Sequence, residues 1–423
     1  MSWDAARLQS WAVVPAPRFV GGNRVQLLQG GDELFPRMVQ AIDAAQREFW
    51  LATYIFHDDS AAVNVAEALM RAAARGVAVQ VVIDGFGSLA TLPDVRRRFA
   101  GSGVQLEVFR SLDRWYAWLQ PGQLRRLHQK LCVCDETVAF VGGINLLDDR
   151  HDIHQGWSDA PRLDYAVAVE GPLAAAVHAT ARAMWVRAHL WHGWRDGVRA
   201  VTSSPQPVKQ ALTLVREWRG VAPTPDAVAA AQPMLAAFLV RDNVRQRRTI
   251  ERSYVEAIRR ARVRVDLAVP YFDPGRAVRR ALLGAGRRGG RVRLLMQGKV
   301  DYRIAALAAR ALYDELRDHG VRIYEYTPAY LHAKVAVIDN DWATVGSSNI
   351  DPLSLLLNLE ANVVVRDADF SAALAARLES VFAVSTEVTG APQRTGWRRW
   401  LHSGMVATLA TLYLRVAGVT GRY

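Results

Sequence analysis

The sequence predicts an α/β protein made of two homologous halves, and two observations support this fold class. Apolar strand-like segments alternate with helical segments, and the same succession of segments occurs twice along the chain. Ala41–Phe56 matches Ala257–Phe272, and Ala68–Asp84 matches Ala281–Gln297. The offset between the copies drifts only from 216 to 213 residues over these segments. A duplicated domain with small deletions in its loops has this pattern.

Each half reads, in order, as a helix, an apolar strand that ends in an aromatic residue, a second helix, a second strand, a third helix and a strand that carries a short polar motif. Continuous apolar strands such as "VAVQVVID" and "VRLLM" are typical of a sheet that helices cover on both faces. We therefore expect two α/β domains packed as a pseudo-dimer around one active site. The expected segments are an N-terminal domain (1–201), a linker rich in Pro, Ser and Ala (202–233), a C-terminal domain (234–390) and a tail (391–423).

Composition and charge limit the partners and the compartment. The 423 residues suit about two domains, and the net charge of +12 favours a polyanionic partner, either nucleic acid or anionic lipid headgroups. Cys132 and Cys134 are two residues apart in a predicted strand, where a disulfide would be strained, so we expect a reducing compartment. The N-terminus lacks a signal-peptide pattern and no stretch reaches about 20 apolar residues, which favours a soluble or peripheral protein.

A short polar motif is the most informative part of the repeat. "LHQKLCVCDETVAFVGGIN" runs from Leu127 to Asn145, and "LHAKVAVIDNDWATVGSSN" runs from Leu331 to Asn349. In each copy His and Lys are two residues apart, so on a strand both side chains project from the same face. A cation next to an imidazole lowers its affinity for a proton. The pairing makes sense if a phosphate lies between them, hydrogen-bonded by the lysines and attacked by a neutral imidazole.

The duplication then has a mechanistic use. Phosphodiester transfer through a covalent intermediate needs a nucleophile and a general acid on opposite faces of one phosphate. Two histidines related by a pseudo-two-fold axis supply both, so neither copy is a complete site. Asp135 and Asp339 belong to the same motif, although their place at strand ends favours anchoring of the turn over chemistry. The predicted catalytic motif residues are His128, Lys130, Asp135, His332, Lys334 and Asp339.

Residues downstream of each motif fit a phosphate site. Asn145 and Asn349 follow their histidines at the same spacing, after "VGG" and "VGSS", and small residues there let the backbone approach a phosphate closely. An acidic residue then starts a strand in each half, Asp164 in "RLDYAVAVEG" and Glu360 in "NLEANVVVRD". A carboxylate at that place could accept from the second imidazole nitrogen and fix its tautomer.

Two neighbouring patterns allow other interpretations. His128, Cys132 and Cys134 could suggest a zinc site, but the second copy has Ala336 and Ile338 in place of the cysteines, which favours cysteines that fill the core. In "YIFHDDS", His57 is followed by two aspartates and is either catalytic or part of a loop cap.

These motifs resemble the phospholipase D superfamily, in which a bilobed chain carries HxK(x)4D twice. Within it the sequence is similar to bacterial cardiolipin synthases, particularly their B type, over approximately residues 22–385. The supporting stretches include "VVIDGFGS", "VPYFDPG" and "VGSSNIDPLSLLLNLEANV", of which the last is the most specific.

The resemblance implies a phosphohistidine mechanism that needs no metal or other cofactor. It implies that His128 attacks the phosphate of one lipid while His332 protonates the leaving alcohol and later deprotonates the acceptor; the near-symmetry leaves the reverse assignment open. Lys130, Lys334, Asn145 and Asn349 would bind phosphate oxygens, and Asp164 and Glu360 would orient the histidines. The implied reaction makes cardiolipin from two molecules of phosphatidylglycerol, with phosphatidylethanolamine as an alternative donor.

The implied partners are anionic phospholipids and the cytoplasmic face of the bacterial cell membrane, to which the protein would bind peripherally. Leu112–Gly122 and the stretch "GWRRWLHSGMVATLATLYLRVAG" combine Trp, Tyr, Arg and apolar residues, as either membrane contacts or packed segments. Alternatives are a phospholipid hydrolase, an inactive membrane scaffold and a nucleic-acid phosphodiesterase. The last is disfavoured because the chain has no interleaved aromatic and basic array. The oligomeric state is left open.

Overall fold

The computed structural model describes residues 17–110, 125–153, 156–192, 234–242, 246–299, 306 and 309–389. The chain divides into two compact units, one formed by Val20–Ala236 and the other by Ala237–Tyr423 with Met1–Phe19. The predicted linker (202–233), the predicted tail (391–423) and the aromatic segment 112–122 lie outside the described residues.

Within its described residues, the first unit contains a seven-stranded sheet, a small two-stranded sheet and four helices. Its strands are β1 (Arg24–Gln29), β2 (Glu48–Thr53), β3 (Ala78–Asp84), β4 (Gln105–Phe109), β5 (Lys130–Cys134), β6 (Val138–Gly142), β7 (His151–Asp152), β8 (Gly156–Trp157) and β9 (Tyr165–Glu170). Its helices are α1 (Gly30–Ala44), α2 (Ser60–Ala74), α3 (Leu92–Phe99) and α4 (Leu173–His192).

The strand order in the large sheet is β1-β9-β6-β5-β2-β3-β4. The β2, β3 and β4 strands run parallel, because the helices α2 and α3 return the chain to the same edge before each new strand begins. The remaining neighbours pair antiparallel, including β2 with β5 and β5 with β6. The sheet is therefore mixed, and β5, which begins at the lysine of the first His/Lys motif, lies at its centre.

The second unit repeats this plan. Its strands are β10 (Leu235–Arg241), β11 (Arg264–Ala268), β12 (Arg291–Gln297), β13 (Val321–Tyr326), β14 (Val335–Ile338), β15 (Trp342–Gly346), β16 (Glu360–Arg366) and β17 (Thr386–Glu387). Its helices are α5 (Thr249–Arg260), α6 (Arg276–Arg287), α7 (Tyr313–Asp318), α8 (Pro352–Leu356) and α9 (Ala368–Ala383). The order is β10-β16-β15-β14-β11-β12-β13-β17, which is the order of the first sheet with one extra edge strand.

Each unit has its own apolar core, because its strands are almost wholly hydrophobic and its helices present an apolar stripe to them. In α2 the buried side chains recur at helical spacing, and Asp59 caps the helix by accepting from the backbone N–H of Ala62 over 3.1 Å. The buried residues of the α2 stripe are Ala62, Val65, Ala66, Ala68, Leu69 and Ala72.

The structure confirms the prediction of two repeated α/β halves and corrects one detail of the motif. The central strands begin at Lys130 and at Val335, so His128 and His332 lie in the segments that lead into the strands rather than inside them. Among the described residues, no helix is both long enough and apolar enough to span a bilayer.

Candidate active site

Tyr54 brings the first histidine and lysine together. Its ring centroid lies 5.0 Å from that of His128 and 5.3 Å from Nζ of Lys130. Tyr54 follows β2, the central neighbour of β5, so the pairing of these strands places the three side chains at one edge of the sheet. His128 and Lys130 thus both lie next to the ring of Tyr54.

Both lysines are buried and tied to the backbone of their own histidine. Lys130 is 5 % exposed and Lys334 is fully buried. Lys130 Nζ donates to the backbone carbonyl of His128 over 2.7 Å, and Lys334 Nζ donates to the carbonyl of His332. Each ammonium group thus holds the backbone that carries the adjacent imidazole, in addition to the positive charge that it supplies.

The two asparagines are positioned by a matching pair of bridges. Leu146, next to Asn145, forms an isolated parallel bridge with Phe56 just beyond β2, and His57 N–H donates to the Leu146 carbonyl over 2.9 Å. Ile350, next to Asn349, pairs with the chain just beyond β11 in the same way. The chain after the small-residue turn is therefore held against the end of the parallel strand in each half.

Asn145 and Asn349 also share an unmet hydrogen-bonding need. They are 5 % and 7 % exposed, and neither Oδ1 atom has a hydrogen-bond partner among the described residues. A buried acceptor without a partner is costly, so such groups are typical of sites that a ligand with a hydrogen-bond donor completes. The equivalence of the two positions agrees with their predicted role at one phosphate.

Both predicted orienting carboxylates are deeply buried. Asp164 is 1 % exposed and lies against Gly143, where an added Cβ would come within 2.4 Å of its Oδ1. Glu360 is fully buried and accepts from Ser347 Oγ over 2.5 Å. Gly143 and Ser347 are equivalent positions in "VGG" and "VGSS". The glycine leaves room for the Asp164 carboxylate, and the serine donates to the Glu360 carboxylate.

The carboxylate of Asp135 accepts only backbone hydrogen bonds in the described contacts, from the turn that enters β2. Its oxygens accept from the N–H groups of Gln46, Arg47 and Glu48 over 2.8–2.9 Å. Burial alone would raise its pKa, but these backbone donors outweigh burial and hold the pKa below its ordinary value.

Asp339 makes the corresponding contacts with the turn that enters β11, over 2.8–3.1 Å. Both aspartates also have left-handed backbone angles, with φ of 49° and 51°. These contacts fit the anchoring role better than a place in the chemistry, although the anchored segment is the turn before the neighbouring strand.

Sequence reasoning missed one pair of residues that hold the histidine segments. Asp84 ends β3 and accepts from Leu127 N–H over 2.8 Å, while Gln297 ends β12 and accepts from Leu331 N–H over 2.7 Å. Asp84 is completely buried, and this burial raises its pKa against the opposing effects of Arg126 and three backbone donors. The repeat could have revealed this pair, because the matched segments Ala68–Asp84 and Ala281–Gln297 both end in a polar residue.

The cysteines belong to the hydrophobic core, as expected from the second copy of the motif. Cys132 and Cys134 are free thiols that pack in the cluster of the first unit. Burial raises the pKa of both, that of Cys134 to about 11, which disfavours the thiolate that zinc requires. The loop-cap interpretation of "HDDS" is confirmed by the hydrogen bonds of Asp59 at the start of α2.

Comparison with known proteins identifies the family to which the chain belongs. The sequence model of the family described as "Cardiolipin synthase, PLD-like domain" matches residues 38–155 and 254–382. Cardiolipin synthase B of Escherichia coli O6:H1 is 34% identical over 389 residues, covering 89% of this chain and 85% of that protein. Cardiolipin synthase B of Salmonella typhi is 35% identical over 393 residues, with the same coverage.

Among solved structures, phosphatidylserine synthase of Haemophilus influenzae Rd KW20 has a similar fold. The TM-score is 0.62 at 11% identity, and the match covers 98% of each chain. The doubled family match lies on the two sheets that carry the His/Lys motifs. The chain thus belongs to the cardiolipin synthase family of phospholipase D-like proteins.

Proposed function

We propose that this protein is a phosphatidyltransferase that makes cardiolipin from phosphatidylglycerol through a phosphohistidine intermediate. The observation that carries the proposal is the paired geometry. Each half presents a histidine tied to a buried lysine, a buried asparagine whose Oδ1 has no partner among the described residues, and a buried carboxylate. The relatives named cardiolipin synthase B supply the reaction to which this set is assigned.

In the first step a nitrogen of His128 attacks the phosphorus of one phosphatidylglycerol. A P–N bond forms, the P–O bond to glycerol breaks, and His332 gives its proton to the departing glycerol oxygen. In the second step His332 takes the proton of a hydroxyl on a second phosphatidylglycerol. That oxygen attacks phosphorus, the P–N bond breaks, and the products are cardiolipin and glycerol.

The other residues of the set act on charge and orientation. Lys130 and Lys334 lie beside their histidines, where they would neutralise charge that develops on the phosphate oxygens. Asn145 and Asn349 would donate from Nδ2 to those oxygens, which leaves each unpartnered Oδ1 available to accept from a hydroxyl group of the substrate. Asp164 and Glu360 would each fix the tautomer of a histidine, and a buried carboxylate has a strong need for such a donor.

The setting of this reaction is the surface of a membrane. A lipid donor and a lipid acceptor both reside in a bilayer, and the net charge of +12 favours binding to anionic headgroups. We place the protein peripherally on the cytoplasmic face of the bacterial membrane. We also propose the domain boundaries 1–201, 202–233, 234–390 and 391–423.

The test is incubation of the purified protein with vesicles of isotope-labelled phosphatidylglycerol and phosphatidylethanolamine, followed by mass spectrometry of the lipids. The proposal predicts labelled cardiolipin together with free glycerol. Phosphatidic acid as the sole labelled product would reject transfer in favour of hydrolysis. The ratio of cardiolipin labelled from each donor identifies the phosphatidyl donor in the same experiment.

A further inference from the structure

Three polar side chains of the first unit converge at a place that the duplicated site does not use. His57 follows β2, Asp59 caps α2, and His151 starts the small β7–β8 sheet. One ligand atom from each lies within 4.8 Å of the other two. The three side chains are 16 %, 5 % and 18 % exposed, so the cluster is largely screened from solvent yet accessible.

The cluster is specific to one half of the molecule. In the repeat, Asp273 and Gly275 stand where the first half has His57 and Asp59. Gly275 caps its helix without a side-chain hydrogen bond, whereas Asp59 caps with its carboxylate. A group that the paired phosphate site required would be expected in both copies, so the cluster has a different role.

The charges around His57 call for a cation. Its Nδ1 lies 3.2 Å from Asp58 Oδ1 and 3.3 Å from Asp59 Oδ2, and the backbone N–H of Asp59 points at the same nitrogen over 3.2 Å. Two carboxylates so close to one ring nitrogen favour a proton or a metal ion on it, in place of the hydrogen bond that it accepts from Asp59 N–H. A proton on His57 would satisfy that ring alone.

A proton on His57 would leave the second histidine of the cluster, His151, without a partner for its Nδ1 in the described part of the chain. His151 Nδ1 is buried and lies 3.8 Å from Asp59 Oδ2, too far for a hydrogen bond. It has no hydrogen-bond partner among the described residues. Its ring is held in place by Trp157, which stacks on it at 5.0 Å with an interplanar angle of 17°. A single metal ion would satisfy this nitrogen and that of His57 together.

The spacing matches the coordination of a first-row divalent metal. Zinc bonds of about 2.0–2.2 Å in a tetrahedral arrangement put neighbouring ligand atoms about 3.3 Å apart. The separations from Asp59 Oδ2 are 3.3 Å to His57 and 3.8 Å to His151. The Asp59 carboxylate is also oriented as a ligand should be, because it accepts from Ala62 N–H over 3.1 Å and from Asp148 N–H over 2.8 Å.

We propose that His57, Asp59 and His151 form a binding site for one divalent transition-metal ion, with zinc as the best match to two imidazoles and a carboxylate. The ion would join the β2–α2 corner to the segment that follows Asn145 and leads to Trp157. It therefore serves as a structural clamp next to the phosphate site, and the histidine chemistry proceeds without it.

A second cluster, Glu48, Glu136 and His178, does not suit a metal in the same way. His178 presents Nε2 to Glu48 and Nδ1 to Glu136, each over 3.1 Å. These nitrogens lie on different edges of the ring, so a single ion cannot take both. Each carboxylate therefore faces its own ring nitrogen.

The test measures metal binding directly on the full chain after it has been stripped with a chelator and dialysed. Zn²⁺ binding is measured by equilibrium dialysis with elemental analysis, and Co²⁺ is used as a spectroscopic probe because its visible absorption reports tetrahedral coordination. We expect one ion per chain, and a rise in melting temperature when Zn²⁺ is added. Asp59→Asn, His57→Ala and His151→Ala should each weaken binding by at least about 100-fold and remove that rise.

Two variants separate this site from general effects. Asp59→Asn keeps a good helix cap, so its loss of binding cannot be ascribed to unfolding of α2. His189→Ala removes an exposed imidazole that pairs with Glu107 over 2.7 Å, and it should bind the ion as the unaltered protein does. The proposal is overturned if no single ion binds saturably, if the cluster variants bind with unchanged affinity, or if His189→Ala causes the same loss.

Discussion

The carboxylate of Asp84 accepts a hydrogen bond from the backbone N–H of Leu127, one residue before His128, over 2.8 Å. Gln297 makes the equivalent bond to Leu331 in the other half, over 2.7 Å. The last residue of a buried parallel strand therefore fixes the segment that carries each histidine. This bond, together with the one from the lysine to the histidine carbonyl, holds the backbone that carries the imidazole against the sheet.

Replacement of Asp84 by Ala should lower kcat on the order of 10²-fold with little change in KM, because the His128 backbone loses its anchor while lipid contacts elsewhere stay intact. The N–H groups of Leu127, Phe86 and Gly87 would also lose their acceptor. Steady-state kinetics on phosphatidylglycerol vesicles measure the effect, with Asp94→Ala on the surface of α3 as the matched control.

Asp84→Asn should recover part of the lost kcat, because the amide keeps one acceptor oxygen in the same place. An equal loss in Asp84→Asn and Asp84→Ala would point to the charge as the important property. An unchanged kcat in Asp84→Ala would show that the hydrogen bond does not position His128.

Asp135 should make stability depend on pH. Its folded-state pKa is lowered, so the stability that it contributes is fully present above the ordinary pKa of about 3.9 and is lost as the pH falls through the folded-state value. Thermal unfolding followed from about pH 6 to about pH 3 should show a steeper loss for the unaltered protein than for Asp135→Asn. Asparagine suits the comparison because it tolerates the φ of 49° at this position.

The same variant separates anchoring from chemistry. If Asp135 only holds the turn before β2, Asp135→Asn should be less stable at neutral pH by about 1–3 kcal/mol while its kcat, measured well below the melting temperature, stays within a few-fold. A loss of kcat comparable to that of a histidine variant would instead assign Asp135 a direct part in the reaction.

Gly143 should tolerate no side chain. A Cβ there would meet Asp164 Oδ1 at 2.4 Å and Oδ2 at 2.7 Å, so Gly143→Ala must displace the carboxylate that we assign to histidine orientation. We expect kcat to fall on the order of 10²-fold with the fold retained, as judged by circular dichroism. Gly290→Ala is the control, since its nearest neighbours would be 3.7 Å away. Full activity in Gly143→Ala would remove Asp164 from the mechanism.

The repeat in the sequence was sufficient to predict two α/β halves, because apolar strands and their spacing survive duplication better than individual contacts. It also located both His/Lys pairs, both asparagines and both buried acids. It could not show that Lys130 donates to the carbonyl of His128, or that β5 begins only at Lys130. The start of β5 and the contact of Lys130 depend on where the antiparallel pairing with β2 begins. The alternation of side chains along a strand does not determine where that pairing begins.

Tyr54 was out of reach of sequence reasoning for a similar reason. Its contact with both His128 and Lys130 arises from strand pairing between segments that are about seventy residues apart. The second half has Pro270 at the matching place, so the repeat offered no signal. A contact that occurs in only one half of the repeat can be recognised only from the strand pairing in the structure.

The central claim is that His128 and His332 perform unequal steps in one reaction, and the activities of their single alanine variants test it most directly. Cardiolipin formation from phosphatidylglycerol vesicles is measured for His128→Ala, His332→Ala and the control His189→Ala. The account predicts that each of the first two loses at least about 10³-fold of the rate while the control keeps it. Retention of most of the activity in either His128→Ala or His332→Ala would contradict a reaction that needs both histidines.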